Sequence, residues 1–188
     1  ENKFMTGILE PTNSPYAMAK ITSIELANSI STQYGHNVIS LMPTNLYGPN
    51  DNFSEFDSHV IPGLITRMHI AKINNHPDFN IWGTGSPKRE FLHVDDLANA
   101  IFHLIDTETN EKLLNIGSGR EVTIKDLAKK IQDVVGYEGE VSFNSKMPDG
   151  NPRKLLDSNL ISSLGWKPSI DLEEGLESTY KWFLKNLS

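Results

Sequence analysis

Hydrophobic positions recur along this chain with two different periods, and the alternation of these periods predicts alternating helices and strands. From Pro15 onward, apolar residues return every three or four positions, which predicts a helix over residues 15–34 that Ser14 caps and Gly35 ends. The same period predicts further helices over residues 59–73, about 96–105, 123–135, 158–164 and 171–186. Short apolar runs, partly β-branched, predict four or five strands, over residues 37–42, 79–82, 89–94, 113–116 and 140–143. Helices between strands indicate the α/β class with parallel strands.

Several helix ends are marked by the residues that flank them. Asp95 or Asp96 is expected to cap the helix that ends near Ile105. Thr123 is followed three residues later by Asp126, a weak capping box, and Gly136 is expected to end that helix. Residues 43–58 and 144–153 are polar and are predicted to be loops.

The first clear element is a helix with no strand before it. A helix of an α/β protein needs a sheet to pack against. The pattern therefore predicts that this chain is the later part of a larger α/β enzyme.

Composition narrows the class of protein. The chain has 188 residues, a net charge of −7 and no cysteine, which excludes a disulfide scaffold and a cysteine-ligated metal site. The acidic balance argues against nucleic-acid binding, and no apolar run is long enough to span a membrane. No signal peptide is visible, so we expect a cytoplasmic protein. No pair of histidines or carboxylates has metal-ligand spacing, so we predict no metal site.

Tyr16 and Lys20 are four residues apart in the first predicted helix, which places both side chains on one face. An ammonium group near a phenol favours the phenolate, so the pair has the chemistry of a proton donor or acceptor at a carbonyl or alcohol carbon. The lysine is also suited to hold the ribose hydroxyls of a cofactor. The alternative is an ordinary surface pair.

His59 follows a polar loop and begins a predicted helix. The helix dipole disfavours an imidazolium at this end, which suits a neutral acid/base. A capping or packing role is the alternative.

Charged and aromatic side chains in the first half are candidates for a phosphorylated ligand. Arg67 and Arg89 have the planar guanidinium that matches a diphosphate, and Trp82 could stack on a base or sugar. The alternatives are a solvated helix face for Arg67 and core packing for Trp82. Two glycine motifs, GTG at 83–85 and GSG at 117–119, lack the full dinucleotide fingerprint, and we reject both as cofactor loops.

Motifs along the whole chain resemble one family. In order, these are PYAMAK, NVISLMPTNLYGPNDNF, SHVIPGLI, IWGTGSPKREFLHVDDLA, MPDGNPRKLLD and LGWKP. Together they are similar to the extended short-chain dehydrogenase/reductase superfamily and, within it, to the GDP-sugar epimerase-reductases. The resemblance implies the C-terminal part of an NAD(P)-binding Rossmann fold together with a smaller α/β substrate-binding lobe.

The resemblance implies an activity and a set of site residues. The activity is NADPH-dependent 3,5-epimerisation and 4-reduction of GDP-4-keto-6-deoxy-D-mannose to GDP-L-fucose, with NADP(H) as cofactor. Tyr16, Lys20 and His59 would be catalytic. Cofactor contacts would come from Lys20, Pro43, Thr44, Asn45, Leu46 and His59. GDP-sugar contacts would come from Arg67, Trp82, Arg89 and Asp149.

The resemblance also implies an organisation. Residues 1–45 and 88–117 would form the back half of the Rossmann domain, without its Gly-rich N-terminal half, and residues 46–87 and 118–188 would form the substrate lobe. The helix over 15–34 would contribute to a homodimer of the whole protein, and this chain alone would be inactive. Two alternatives remain: another nucleotide-sugar epimerase or dehydratase of the superfamily, and a non-catalytic binding or assembly fragment.

Overall fold

The fold alternates helices and strands, as the sequence pattern predicts. A computed structural model describes residues 1–187. Its α-helices are α1 (Ser14–Tyr34), α2 (Val60–Ile73), α3 (Val94–Ile105), α4 (Ile124–Val135), α5 (Asn159–Ser163) and α6 (Leu172–Asn186). Its strands are β1 (Ser40–Pro43), β2 (Asn45–Tyr47), β3 (Asp78–Trp82), β4 (Lys88–His93), β5 (Leu113–Ile116), β6 (Glu121–Thr123), β7 (Glu140–Asn144) and β8 (Arg153–Lys154). The α/β class is confirmed.

The strands form three small sheets rather than one. β1 pairs with β5, and β3 pairs with β7, both in parallel. In the third sheet β4 is central: it pairs in parallel with β2 and β8, and antiparallel with β6. The expectation of parallel strands is therefore confirmed for all these pairs except β4–β6. The expected number of strands is too low, because β2, β6 and β8 are too short to show a periodic pattern.

The ends of two helices follow the sequence prediction. Gly35 ends α1 and Gly136 ends α4, both in the left-handed conformation with φ of 70° and 69°. Thr123 caps α4: its Oγ1 accepts a hydrogen bond from the backbone N of Asp126 at 3.0 Å. Local capping residues are therefore sufficient to set these ends.

Two other caps differ from the prediction. Ser14 is already helical, and Asn13 occupies the N-cap position of α1 without a side-chain hydrogen bond. The N-cap of α3 is His93, not Asp95 or Asp96, because the His93 Nδ1 accepts a hydrogen bond from the backbone N of Asp95 at 3.3 Å.

Buried side chains form two hydrophobic clusters. The first joins α2, α4 and α6 to β3 and includes Ile65, Ile131 and Leu176. The second joins β5 to α3 and includes Leu114 and Ala100, with Ile161 and Trp166 from the later part of the chain. The division into two lobes by residue ranges stays a prediction. Helix α5, which that division assigns to the substrate lobe, packs with the second cluster, beside β5 and α3.

Helix α1 differs from the other α-helices in that none of its residues is buried. Its expected apolar stripe is at most partly covered: Ile21 and Ile24 are partly buried, whereas Leu26 is 59% exposed.

Candidate functional site

One cavity of about 830 Å³ brings together most of the residues that the sequence singles out. Those that line it are Tyr16, Pro43, Thr44, Asn45, Leu46, His59 and Arg89. Lys20, Arg67, Trp82 and Asp149 are not among its lining residues. We call this cavity the cleft.

Tyr16 and Lys20 lie one helical turn apart on α1. The Lys20 Nζ is 5.4 Å from the centre of the Tyr16 ring, so both side chains share one face, as their spacing predicts. Tyr16 is 61% exposed and lines the cleft. An accessible phenol beside an ammonium group is suited to donating a proton to a ligand in this cleft.

The segment from Pro43 to Leu46 crosses from β1 to β2 at the carboxyl end of β1. The Asn45 Nδ2 and the Thr44 Oγ1 both donate to the backbone carbonyl of Glu90, at 2.7 Å and 3.3 Å. The backbone N of Thr44 donates to the carbonyl of Ile116 at 2.9 Å. These bonds fix the segment against β4 and β5. A crevice at the carboxyl ends of parallel strands is where α/β sheets bind ligands.

His59 occupies the N-cap position of α2, but its side chain makes no capping hydrogen bond. The ring is 85% exposed, and its Nδ1 lies 3.7 Å from Oδ1 of Asp51, which also lines the cleft. The imidazole is therefore free to meet a ligand. Sequence reasoning missed Asp51, since nothing in its local sequence marks it as a neighbour of His59.

Two cations reach the cleft from paired strands. Arg89 on β4 and Lys154 on β8 are register partners, and both line the cleft. The preceding residue, Arg153, lines a second cavity instead and forms an exposed ion pair with Glu121. The pair Arg89 and Lys154 gives the cleft a positive wall suited to a phosphate group.

Arg67 lies on α2 and is directed into the protein. Its Nε donates to the carbonyl of Gly63 at 3.2 Å, and its guanidinium carbon is 5.7 Å from the centre of the Phe79 ring. Burial lowers the pKa of this guanidinium, and Glu55 opposes that effect. Arg67 is therefore not the solvated side chain of the alternative interpretation.

Trp82 and Asp149 lie together at the turn that follows β3. Trp82 is 71% exposed, so it is not a core residue. The Asp149 carboxylate accepts hydrogen bonds from the backbone N and Oγ1 of Thr84, at 2.9 Å and 2.7 Å. A Cβ at Gly83 would lie 2.3 Å from the Asp149 Oδ1, so only glycine fits here. The turn and the loop that contains Asp149 are thus held in contact beside an accessible indole.

Sequence reasoning missed the burial of two carboxylates: Glu90, and Asp96, which it named only as a candidate helix cap. Asp96 accepts hydrogen bonds from the backbone N atoms of Ser169 and Ile170, at 2.9 Å and 3.1 Å. Glu90 accepts hydrogen bonds from the backbone N atoms of Gly119 and Leu156, at 2.7 Å and 3.0 Å.

The two short glycine motifs have structural partners in this fold. Gly83 and Gly85 of GTG approach Asp149 and Phe143, and Gly117 and Gly119 of GSG approach and bond to Glu90.

Among residues 1–187, no three histidine or carboxylate side chains are grouped to hold a metal ion. In the same stretch, helices long and apolar enough to cross a membrane are absent.

The fold and the cleft together define an α/β protein with a ligand crevice at its strand ends. Residues 1–117 match the model of the NAD dependent epimerase/dehydratase family, so the chain belongs to that family.

Individual relatives cover the whole chain. It is 52% identical over 187 residues to "Probable GDP-L-fucose synthase 1" of Oryza sativa subsp. japonica, covering 100% of this chain and 57% of the relative. It is 51% identical to "GDP-L-fucose synthase" of Escherichia coli (strain K12), covering 99% of this chain and 61% of the relative. The chain therefore spans about three fifths of the length of these curated relatives.

A solved structure shows the same similarity. The structure titled as a GDP-L-fucose synthetase from Naegleria fowleri bound to NADP superimposes with a TM-score of 0.90 at 28% sequence identity. The match covers 98% of this chain and 60% of that one.

Proposed function

We propose that the whole polypeptide to which this chain belongs is a GDP-L-fucose synthase. It converts GDP-4-keto-6-deoxy-D-mannose to GDP-L-fucose by epimerisation at C3 and C5 and reduction at C4, with NADPH as reductant. The observation that carries the proposal is the cleft, because a tyrosine, a histidine and two cationic side chains line one cavity. The relatives at 51–52% identity support the choice of substrate.

The residues at one end of the cleft fit the nicotinamide end of NADPH. Pro43, Thr44, Asn45 and Leu46 form a rigid edge there, because the Thr44 and Asn45 side chains are bonded to β4. When bound, NADPH supplies the hydride for C4. Tyr16 then gives the proton to the C4 oxygen, and Lys20, beside its ring, holds the nicotinamide ribose.

His59 acts as one member of the acid/base pair in the epimerisations. Protons next to a C4 ketone are acidic, so a base can remove one at C3 or C5 and an acid can return it on the other face. The exposed imidazole of His59, close to Asp51 at the cleft, is placed for such transfers and also contacts the cofactor.

The remaining candidates hold the GDP part of the substrate. Arg89 and Lys154 bind the diphosphate, since their cationic groups share the cleft. Trp82, at the turn that Asp149 holds in place, offers an accessible face for the base or a sugar. Arg67 on α2 is the remaining candidate contact of the GDP-sugar, and its guanidinium carbon lies 5.7 Å from the centre of the Phe79 ring on β3.

We further propose that the whole protein is a cytoplasmic homodimer and that residues 1–188 alone are inactive. The dimer is supported by α1, whose apolar residues Leu26 and Ile30 are exposed. Inactivity is supported by the engagement of both glycine motifs with carboxylates of this chain, which leaves neither as a dinucleotide loop. Sedimentation of the whole protein tests the dimer.

The direct test is turnover of GDP-4-keto-6-deoxy-D-mannose by the whole polypeptide with NADPH, with the stereochemistry of the product determined by NMR. GDP-L-fucose is the expected product. Failure to turn over this ketone, together with inversion at C4 of a UDP-sugar, would instead identify another nucleotide-sugar epimerase. Oxidation of NADPH by residues 1–188 alone would contradict the proposed inactivity of this part.

A further inference from the structure

Glu90 is a fully buried carboxylate whose two oxygens each bond a distant part of the backbone. Its exposed fraction is 0%. Oε1 accepts from the backbone N of Gly119 at 2.7 Å, and Oε2 accepts from the backbone N of Leu156 at 3.0 Å. Burying a carboxylate is costly unless hydrogen bonds compensate, so both bonds are expected to be strong contributors to the local structure.

Glu90 connects three segments: those of Leu156 and Asn45, which line the cleft, and that of Gly119, which lines the second cavity. Leu156 and the adjacent Leu155 line the cleft, and Lys154 precedes them. The backbone carbonyl of Glu90 accepts from Asn45 on the opposite side of the same residue. Glu90 therefore fixes the position of the wall that carries Lys154 relative to the segment that carries Asn45.

Gly117 lies close against the carboxylate. A Cβ at Gly117 would lie 2.5 Å from the Glu90 Oε1 and 2.7 Å from the Ser158 Oγ. These separations are far below ordinary van der Waals contact, so a side chain at position 117 would displace the carboxylate. Gly117 is thus required for the approach of the turn to Glu90.

We propose that Glu90 is a positioning residue for nucleotide-sugar binding. Its carboxylate touches no reacting atom; it holds the Lys154–Leu156 segment against β4, so that Lys154 faces the same cavity as its register partner Arg89. This proposal rests on the proposed function for the identity of the ligand, and on the contacts of Glu90 alone for the positioning.

The test uses two variants that disturb this contact from opposite sides. Glu90→Gln replaces one acceptor oxygen by an amide NH₂, which leaves one buried backbone N–H without an acceptor. Gly117→Ala keeps the carboxylate but displaces it. The matched controls are Glu111→Gln, at an exposed glutamate, and Gly7→Ala, where an added Cβ meets nothing within 4 Å.

Two measurements on the whole polypeptide decide the question. We expect KM for the GDP-sugar to rise about tenfold in both variants, because losing a hydrogen bond to a charged group has an effect of this size. We expect kcat and KM for NADPH to stay within about twofold, since Tyr16 and Lys20 are untouched. Amide hydrogen exchange should accelerate at Gly119 and Leu156 in Gly117→Ala, at the one amide that loses its acceptor in Glu90→Gln, and at neither position in the controls.

Several results would overturn the proposal. A loss of thermal stability with an unchanged KM would make Glu90 a merely structural residue. Unchanged exchange at Gly119 and Leu156 in both variants would show that the carboxylate does not hold them. If neither variant folds, amide hydrogen exchange is measured on the wild-type protein. Exchange at Gly119 and Leu156 must then be slower than at Gly7; equal rates would overturn the proposal.

The two proposals fail in different ways. A wild-type protein without activity on any GDP-sugar refutes the proposed function, and the exchange measurements still support or overturn the positioning role of Glu90.

Discussion

The ammonium group of Lys20 lies above the ring of Tyr16, 5.4 Å from its centre, one helical turn further along α1. Tyr16 nevertheless keeps most of its surface accessible and lines the cleft. The pair therefore combines a nearby cation with a phenol that a ligand can reach, an arrangement suited to proton donation to a carbonyl oxygen.

Replacing this phenol should remove the proton donor without removing the binding site. In the whole polypeptide, we expect Tyr16→Phe to lower kcat for C4 reduction about a thousandfold, with little change in KM. The loss of NADPH absorbance measures the rate. The control is Tyr34→Phe, an exposed tyrosine on the same helix. A Tyr16→Phe enzyme with ordinary kcat would contradict the assignment.

His59 should matter for epimerisation rather than for folding, because its ring is exposed and makes no capping bond. We expect His59→Gln to slow deuterium incorporation from D₂O at C3 and C5 about a hundredfold. NMR of the recovered substrate measures the incorporation, and His76→Gln, at another exposed histidine, is the control. If exchange at both carbons continues at the wild-type rate, His59 is not the acid/base.

Asp149 is bonded to Thr84, so its contribution to substrate binding can be indirect or direct. Thr84→Val removes the hydroxyl bond and leaves the carboxylate in place. If Asp149 acts by fixing its loop beside Trp82, KM for the GDP-sugar should rise about threefold, as expected for one exposed hydrogen bond. Ser145→Ala, in the same loop, is the control. An unchanged KM in Thr84→Val together with a raised KM in Asp149→Ala would indicate direct contact.

Burial lowers the pKa of His93, and this effect outweighs the opposing effects of Asp95, Asp96 and Glu174. The unfolded chain then binds more protons than the folded chain just below the ordinary histidine pKa of about 6.5. The stabilisation is complete above that pH and is lost as the pH falls towards the folded value.

We therefore expect His93→Asn, which keeps a capping side chain but does not titrate, to weaken the decline in stability between about pH 7 and pH 5. Urea unfolding at several pH values measures this. His69, whose pKa burial also lowers, should retain part of the slope. His36→Asn, at an exposed histidine, should leave the slope as in the wild type.

Gly175 on α6 packs directly on Tyr47. An added Cβ would lie 2.1 Å from the Tyr47 hydroxyl oxygen. We expect Gly175→Ala to destabilise the fold by about 1–3 kcal/mol, although alanine is the better helix former. In a Tyr47→Phe background the same substitution should lower the free energy of unfolding by less, because the hydroxyl oxygen nearest to the added Cβ is absent. Equal costs in both backgrounds would refute this contact.

Local sequence signals predicted the parts of the fold that are decided locally. Thr123 and Gly136 define the ends of α4 through contacts within a few residues, and both were predicted. The strands β2, β6 and β8 were missed, because two or three residues carry no period and their pairing with β4 depends on distant segments.

The candidate site likewise contains residues whose arrangement is decided locally and residues whose arrangement depends on the tertiary fold. The i, i+4 relation of Tyr16 and Lys20 is helical geometry and could be predicted from spacing. Glu90, by contrast, bonds to Gly119 and Leu156, which are far away in the sequence, so its burial depends on the tertiary fold. Asp51 lies beside His59 because of the path of the loop that joins them, which no periodic pattern predicts.

The alternation of side chains along β8 has a consequence for how this protein can change in evolution. Arg153 and Lys154 enter different cavities because they are consecutive residues of a strand paired with β4. A shift of β8 by a single residue would exchange the two cations between the cavities. We therefore expect insertions and deletions in residues 145–152 to be tolerated only when they change the loop alone and leave Lys154 paired with Arg89.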